Sequence, residues 1–374
     1  MIYLDNAATT RPYDRVIERV TEVLTHQFGN PSSLHRLGME AEDIIKEARK
    51  TVAASIGAKD NEIYFTPSGT LANNTAIFGY LRRNKHKGNK VLISLVEHAS
   101  VYNIGKQLEK EGYQVEWIPI VNGEPDWTFL AEQLDSNVAL VSMMAVNNET
   151  GTLFDIAKIK QLMKEKAPSA VLHSDCIQAY GKLEIHVRDF GADMMSFSGH
   201  KIGAPKGIGA LYVKKGILLE PLYLGGGQEE NLFSGTENVA NIAAFSEAVK
   251  IFKEVRPMEK IKTLSQLFLS LLDDEILVNS KNSLGAVVNI SLNLRSEIVL
   301  HMLESDGVYV SSGSACSEKK GGNNRVLAAF SVPKAMQDTA IRVSFSYDNT
   351  EEEIRFAAEK INQIFAKNKK NKKN

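Results

Sequence analysis

Apolar residues along the chain follow two rhythms that take turns. Short β-prone runs at 91–93, 115–118, 138–143, 171–172 and 210–213 alternate with stretches in which apolar residues recur every three or four positions. At that spacing Ala41, Ile44, Ile45, Ala48 and Val52 share one face of a helix, as do Val239, Ile242, Phe245, Val249 and Phe252. Strands separated by helices predict a largely parallel α/β sheet. Past Arg256-Pro257 the order changes to a helix, a strand near 287–291, a helix near 297–305 and a strand near 341–345, which reads as a smaller α+β unit. The expected division is a large domain over 16–256 and a small C-terminal domain over 257–374 that also takes in the N-terminal residues 1–15.

Composition narrows the functional classes more than it narrows the fold. With 374 residues, 43% of them hydrophobic, the chain can bury a sizeable core. Lys and Arg number 44 against 45 Asp and Glu, so no overall basic field recruits nucleic acid and no acidic excess favours disorder. The Lys-rich tail at 367–374 reads as a solvated terminus. No run approaches the roughly 20 apolar residues of a membrane span, and the first residues lack the basic and apolar regions of a leader. Only two cysteines occur, Cys176 and Cys316, too few for a disulfide scaffold. The expectation is a soluble cytoplasmic protein with no metal site and no direct nucleic-acid or membrane partner.

Three segments carry candidate chemistry. In Ser196-Phe197-Ser198-Gly199-His200-Lys201, a lysine in a glycine-flanked turn can reach a bound aldehyde, with Ser and His donors beside it for a phosphate. Taken alone it reads more readily as a solvated lysine. Asp175 ends the apolar run 171–175, where a carboxylate is costly unless partnered; a pyridinium nitrogen would serve, and so would a helix N-terminus. Phe65-Thr66-Pro67-Ser68-Gly69-Thr70 turns from a strand end into a helix predicted over 71–80, whose free N–H groups attract an anion or are simply capped. Together the three describe the aldehyde, ring nitrogen and phosphate of one cofactor, pyridoxal 5'-phosphate.

The chain also resembles a known family along nearly its full length. Tyr3-Leu4-Asp5-Asn6-Ala7-Ala8-Thr9-Thr10, Phe28-Gly29-Asn30-Pro31-Ser32-Ser33, Glu97-His98, Val146-Asn147-Asn148-Glu149-Thr150-Gly151, Ser198-Gly199-His200-Lys201, Ser234-Gly235-Thr236 and Ser311-Ser312-Gly313-Ser314-Ala315-Cys316 are similar to motifs of the class V aminotransferase superfamily, fold type I of the pyridoxal-phosphate enzymes. Within it the match is to cysteine desulfurases of iron-sulfur cluster assembly. The resemblance implies that Lys201 bonds the cofactor aldehyde, Asp175 meets the ring nitrogen, Gln178 meets the phenolic oxygen, and His98 stacks on the ring. Gly69, Thr70, Ser198 and His200 would hold the phosphate, and Thr236 would come from the neighbouring subunit of a homodimer. Asn148 and Arg342 would meet the substrate carboxylate, for which a guanidinium fork is well shaped; without the resemblance, Arg342 reads as an exposed strand residue.

Cys316 sits among small, polar and charged residues with no apolar periodicity, a composition that predicts an exposed mobile loop and a reactive thiol. Cys176, beside Asp175 at a strand end, reads as structural. The implied reaction converts L-cysteine to alanine, with Lys201 and His98 as acid–base groups and the sulfur left as a persulfide on Cys316. An acceptor protein, a cluster scaffold or a tRNA-thiolation enzyme, would then take it. Other readings are a selenocysteine lyase or small amino-acid aminotransferase of the same superfamily, and a non-catalytic sulfur-transfer platform. Two departures stand near the expected cofactor mouth: Leu71 follows Thr70 where family members usually carry an acid, and Phe233 precedes Ser234 where they usually carry Arg.

Overall fold

A computed structural model describes residues 1–312 and 324–371. Its centre is a sheet of seven strands in the order Ile63–Thr66, Gly209–Val213, Met194–Ser198, Val171–Asp175, Val138–Ser142, Lys90–Ser94 and Gln114–Ile118. Neighbours are parallel from Met194–Ser198 to Gln114–Ile118, whereas Gly209–Val213 runs antiparallel to both of its neighbours. The sheet is therefore mixed but mostly parallel, as the alternation of strand and helix signals predicts.

Successive residues of these strands enter different cores, because side chains alternate across a sheet. Leu92, Ala210 and Tyr212 pack with Val16, Val23, Ala41, Val52 and Val249, under the helices Asp14–His26, Arg36–Ser55 and Val239–Val255. Val91, Ile93 and Leu211 pack instead with Ile77, Tyr80, Val101 and Leu108, from the helices Gly69–Arg83 and Ala99–Lys110. A further core gathers Leu264, Phe268, Val288, Ile290, Val299, Leu303, Ile341 and Phe345 with Leu4 from the N-terminus. Strand Ile2–Tyr3 pairs with Val308–Tyr309, and Ala7 N–H donates to Ser344 Oγ at 2.8 Å. The first residues thus run from the C-terminal part of the molecule to the segments that follow the central strands of the large sheet, where Thr10 N–H donates to the His200 carbonyl.

Met194–Ser198 is the strand that the apolar pattern did not announce. Its sequence, Met-Met-Ser-Phe-Ser, lacks β-branched residues, and full burial between two strands stabilises it where propensity does not. It matters because it runs beside the Asp175 strand and ends two residues beyond it: in the register Asp175 faces Ser196, and Ser198 follows. Ligands of open α/β sheets bind at such carboxyl ends of parallel strands. Among the described residues, no helix is long and apolar enough to cross a membrane.

Candidate active site

The floor of the crevice is Asp175, 3% exposed. Its Oδ1 accepts the Ile177 N–H at 3.0 Å and its Oδ2 accepts Asn73 Nδ2 at 2.8 Å. Burial raises its pKa, while His98, those two donors and Lys201 oppose the rise. The helix N-terminus that could have explained Asp175 is not its partner; the donors are a local turn and a side chain from the helix Gly69–Arg83.

Asn73 also donates to Ser100 Oγ at 2.9 Å, and Ser100 Oγ lies 2.8 Å from His98 Nδ1, which accepts the Ser100 backbone N–H at 3.1 Å. A backbone N–H can only donate, so Nδ1 is an acceptor. Burial lowers the His98 pKa, with Lys201 and Arg325 acting the same way and Asp175 against. The imidazole is consequently neutral, with its proton on Nε2. Asn73 and Ser100 escaped the sequence reading; an Asn inside a helix, fully buried, is the only signal that pointed to either. Glu97, also fully buried, accepts the Met144 N–H on Oε1 at 2.6 Å, and burial pushes its carboxyl pKa well up.

Lys201 follows the strand Met194–Ser198 in a single turn, Gly199–Lys201. Its Nζ donates to the carbonyls of Ala7 and Ala8, both at 2.7 Å. Gln178 Nε2 donates to the same Ala7 carbonyl at 2.9 Å. His200 Nδ1 lies 3.1 Å from Thr9 Oγ1, and burial, then Lys201, brings its pKa down to about 4. Residues 7–10 therefore organise the lysine side of the crevice. Backbone carbonyls carry no sequence signal, so this part could not be read from residue types.

On the anion side, Ser68 Oγ accepts the Leu71 N–H at 3.2 Å and caps the helix Gly69–Arg83. A Cβ added to Gly69 would come 3.2 Å from Ser198 Cβ, so the first helical turn and Ser198 share one wall. Thr70 is exposed on that turn. Thr236 is exposed as well and lines a depression with Thr66, Pro67, Gly207 and Phe233. Phe233 is buried and packs on Tyr223 with ring centroids 5.7 Å apart, while Leu71 is half-buried.

Arg342 is 5% exposed, which excludes the exposed-strand alternative. Its Nη2 pairs with Asp5 Oδ1 at 2.8 Å and its Nη1 donates to the Asn148 carbonyl at 3.0 Å. Its Nε is buried without a hydrogen-bond partner among the described residues. The structure thus joins Asn148 to Arg342 through the Asn148 main chain, and adds Asp5. Ser311 and Arg342 exchange backbone hydrogen bonds, at 3.1 and 2.6 Å. Arg325 donates to the Glu97 carbonyl at 2.7 Å and lies 3.9 Å over the Tyr102 ring. Cys316 lies outside the described residues. Cys176 is fully buried, and burial drives its thiol pKa up.

These groups fit pyridoxal phosphate. A partnered carboxylate for a ring nitrogen, a lysine amine beyond the neighbouring strand and a helix N-terminus beside Ser198 gather at the carboxyl end of the parallel strands. Lys201 and His98 both act electrostatically on Asp175.

A family model described as aminotransferase class-V matches residues 2–356. The chain is 37% identical over 373 residues to the putative cysteine desulfurase IscS 1 of Bacillus subtilis, covering 97% of this chain and 98% of that protein. It is 35% identical over 375 residues to the cysteine desulfurase IscS of Dictyoglomus turgidum, covering 98% and 95%. Among solved structures, a NifS-like protein from Rickettsia africae superposes with a TM-score of 0.87 at 30% identity, covering 98% of this chain and 99% of that one. A structure of SspA in complex with cysteine gives 0.82 at 31% identity, covering 92% and 99%.

Proposed function

The chain belongs to the aminotransferase class-V family, and we propose that it is a pyridoxal-phosphate-dependent cysteine desulfurase that leaves the sulfur of L-cysteine as a persulfide on Cys316. The observation that carries this reading is the placement of Asp175 at the end of one strand and of Lys201 in the turn after its parallel neighbour, close enough to interact, with neutral His98 beside them.

Lys201 would bond the cofactor aldehyde, Asp175 would meet the ring nitrogen, Gln178 the phenolic oxygen, and Gly69, Thr70, Ser198 and His200 would hold the phosphate. When bound, the cofactor supplies a sink for the electrons released at the substrate α-carbon. Asp175 keeps negative charge against the ring nitrogen, and its two N–H donors hold the carboxylate in place. Arg342, with Asn148, takes the substrate carboxylate; its unpartnered buried Nε favours such an acceptor. Lys201, leaving the Ala7 and Ala8 carbonyls, removes the α-proton, and His98 holds a proton on Nε2 to give back. The Cys316 thiolate attacks the substrate sulfur. The carbon–sulfur bond breaks, its electron pair stays with carbon, and protonation there yields alanine.

The exposed apolar side chains Leu24, Phe28, Leu34, Met39 and Leu224 favour a homodimer that covers them and brings Thr236 to the partner's phosphate site. We divide the chain near Arg256, whose left-handed backbone ends the helix Val239–Val255, into a large cofactor-binding domain and a small domain that includes residues 1–15. The sulfur passes in the cytoplasm to a cluster scaffold or a tRNA-thiolation enzyme.

Mass spectrometry after treatment with L-cysteine tests the reading. One added sulfur is expected on the Cys316 peptide, and none in Cys316→Ala, which keeps the visible cofactor band. Sulfide release by Cys316→Ala at the wild-type rate without a thiol reductant would sink the persulfide step. A protein with no visible cofactor band would favour the non-catalytic platform.

A further inference from the structure

Lys182 lies four residues beyond Gln178, in the turns that leave the Asp175 strand. Its Nζ donates to the Gln178 side-chain Oε1 at 3.1 Å and to the Gln178 main-chain carbonyl at 3.4 Å. At its other end the same amide donates from Nε2 to the Ala7 carbonyl at 2.9 Å, where Lys201 Nζ also donates at 2.7 Å. An amide held by a donor on its oxygen and an acceptor on its nitrogen has one orientation. Rotated by half a turn, it would set nitrogen against the lysine donor and oxygen against a carbonyl, and lose both bonds.

We propose that Lys182 is a positioning residue for the reaction: it fixes the Gln178 amide with its nitrogen toward the site and, through the Ala7 carbonyl, couples that amide to Lys201. This rests on the cofactor reading above, in which Gln178 meets the phenolic oxygen of the ring. The amine suits the task because both of its protonation states donate, so the amide stays oriented as the charge changes. Burial brings the Lys182 pKa down to about 7, with Lys201 and Arg342 pushing the same way. Those two are the charged groups that face it, from the turn Gly199–Lys201 and the strand Ala340–Ser344, and Arg342 in turn carries Asp5. A lysine kept only to fill the turn would leave the cofactor untouched.

The test follows the visible absorption band of the holoenzyme against pH in the wild type, Lys182→Met, Gln178→Leu and the double variant. Lys182→Met is expected to shift the titration midpoint by roughly half a unit or more. In the Gln178→Leu background it should add little, since residues acting through one contact are not additive. No shift, or the same shift in both backgrounds, overturns the proposal. If Lys182→Met does not fold, Lys182→Gln makes the same comparison.

Holoenzyme unfolding gives a second arm. The folded pKa of about 7 lies below the ordinary 10.5, so the unfolded chain binds more protons between them. The wild type should therefore lose stability, relative to Lys182→Met, as pH falls through that interval; parallel profiles overturn the burial on which the coupling depends. A wild type without the cofactor band would sink the cofactor reading and this inference with it. A normal band that titrates identically in Lys182→Met sinks this inference alone.

Discussion

The two ends of the crevice are built in opposite ways. At Asp175 the hydrogen bonding is closed on the carboxylate itself: two N–H donors hold its oxygens, and the same Asn73 amide reaches through Ser100 to His98, with only the outer Asn73 Oδ1 buried without a partner among the described residues. Every member of that chain lies in the large-sheet half of the molecule. At Arg342 the bonding is open: a buried guanidinium has a carboxylate on one nitrogen, a main-chain carbonyl on another, and none among the described residues on Nε. Its partners come from the N-terminus and from the loop after the strand Val138–Ser142. A closed network suits a group whose charge must stay fixed through the reaction, because preorganised donors need not move. An open one suits a group that has to accept and release a carboxylate in each turnover.

Breaking the closed end should have the larger effect. Asp175→Asn keeps the shape but removes the charge proposed to face the ring nitrogen, so kcat is expected to fall by about 10²–10³-fold with little change in KM. Steady-state kinetics with saturated cofactor check this; a loss confined to KM would mean that Asp175 only shapes the pocket. At the open end, Arg342→Met removes the donor proposed for the substrate carboxylate and strands Asp5. The expected loss is about 100-fold in kcat/KM, carried mostly by KM. If Arg342→Met instead lowers kcat at unchanged KM, the contrast between the two ends is wrong.

Neither end was fully legible in the sequence. Asp175, Lys201 and Arg342 could be singled out because a strand end, a glycine-flanked turn and a matching motif each leave a mark on neighbouring residues. The strands carrying Asp175 and Arg342 were visible as apolar runs. Asn73 and Asp175, by contrast, are 102 positions apart, and Asp5 and Arg342 are 337 apart. Nothing local marks such a pair; only the fold brings its members together. Ala7 and Ala8 were harder still, since they act through carbonyls that every residue possesses. The strand Met194–Ser198, which runs beside the Asp175 strand and leads into the Lys201 turn, was hidden by side chains of weak β propensity and is held by the strands on either side.

The smallest effect should come from Ser100, and it bears most directly on whether the closed network acts as a unit. Ser100 Oγ receives the Asn73 N–H, so its own hydrogen is directed at His98 Nδ1, which also accepts the Ser100 backbone N–H. Both contacts stabilise the neutral imidazole and disfavour proton uptake at Nδ1. Ser100→Ala removes one and leaves the other. The His98 pKa should then move up from its lowered position, held by burial, Lys201 and Arg325 below the ordinary value and raised only by Asp175. A group protonated more easily is lost from its working neutral form at higher pH, so the acid limb of the kcat profile should rise by a fraction of a unit, with kcat at its optimum reduced by less than about 10-fold. The kcat–pH profile of Ser100→Ala, compared with that of Ser100→Thr, which retains the hydroxyl, reads this directly. An acid limb that stays in place, or moves equally in both variants, would mean that the backbone N–H alone sets the state of His98 and that the link from Asp175 ends at Asn73.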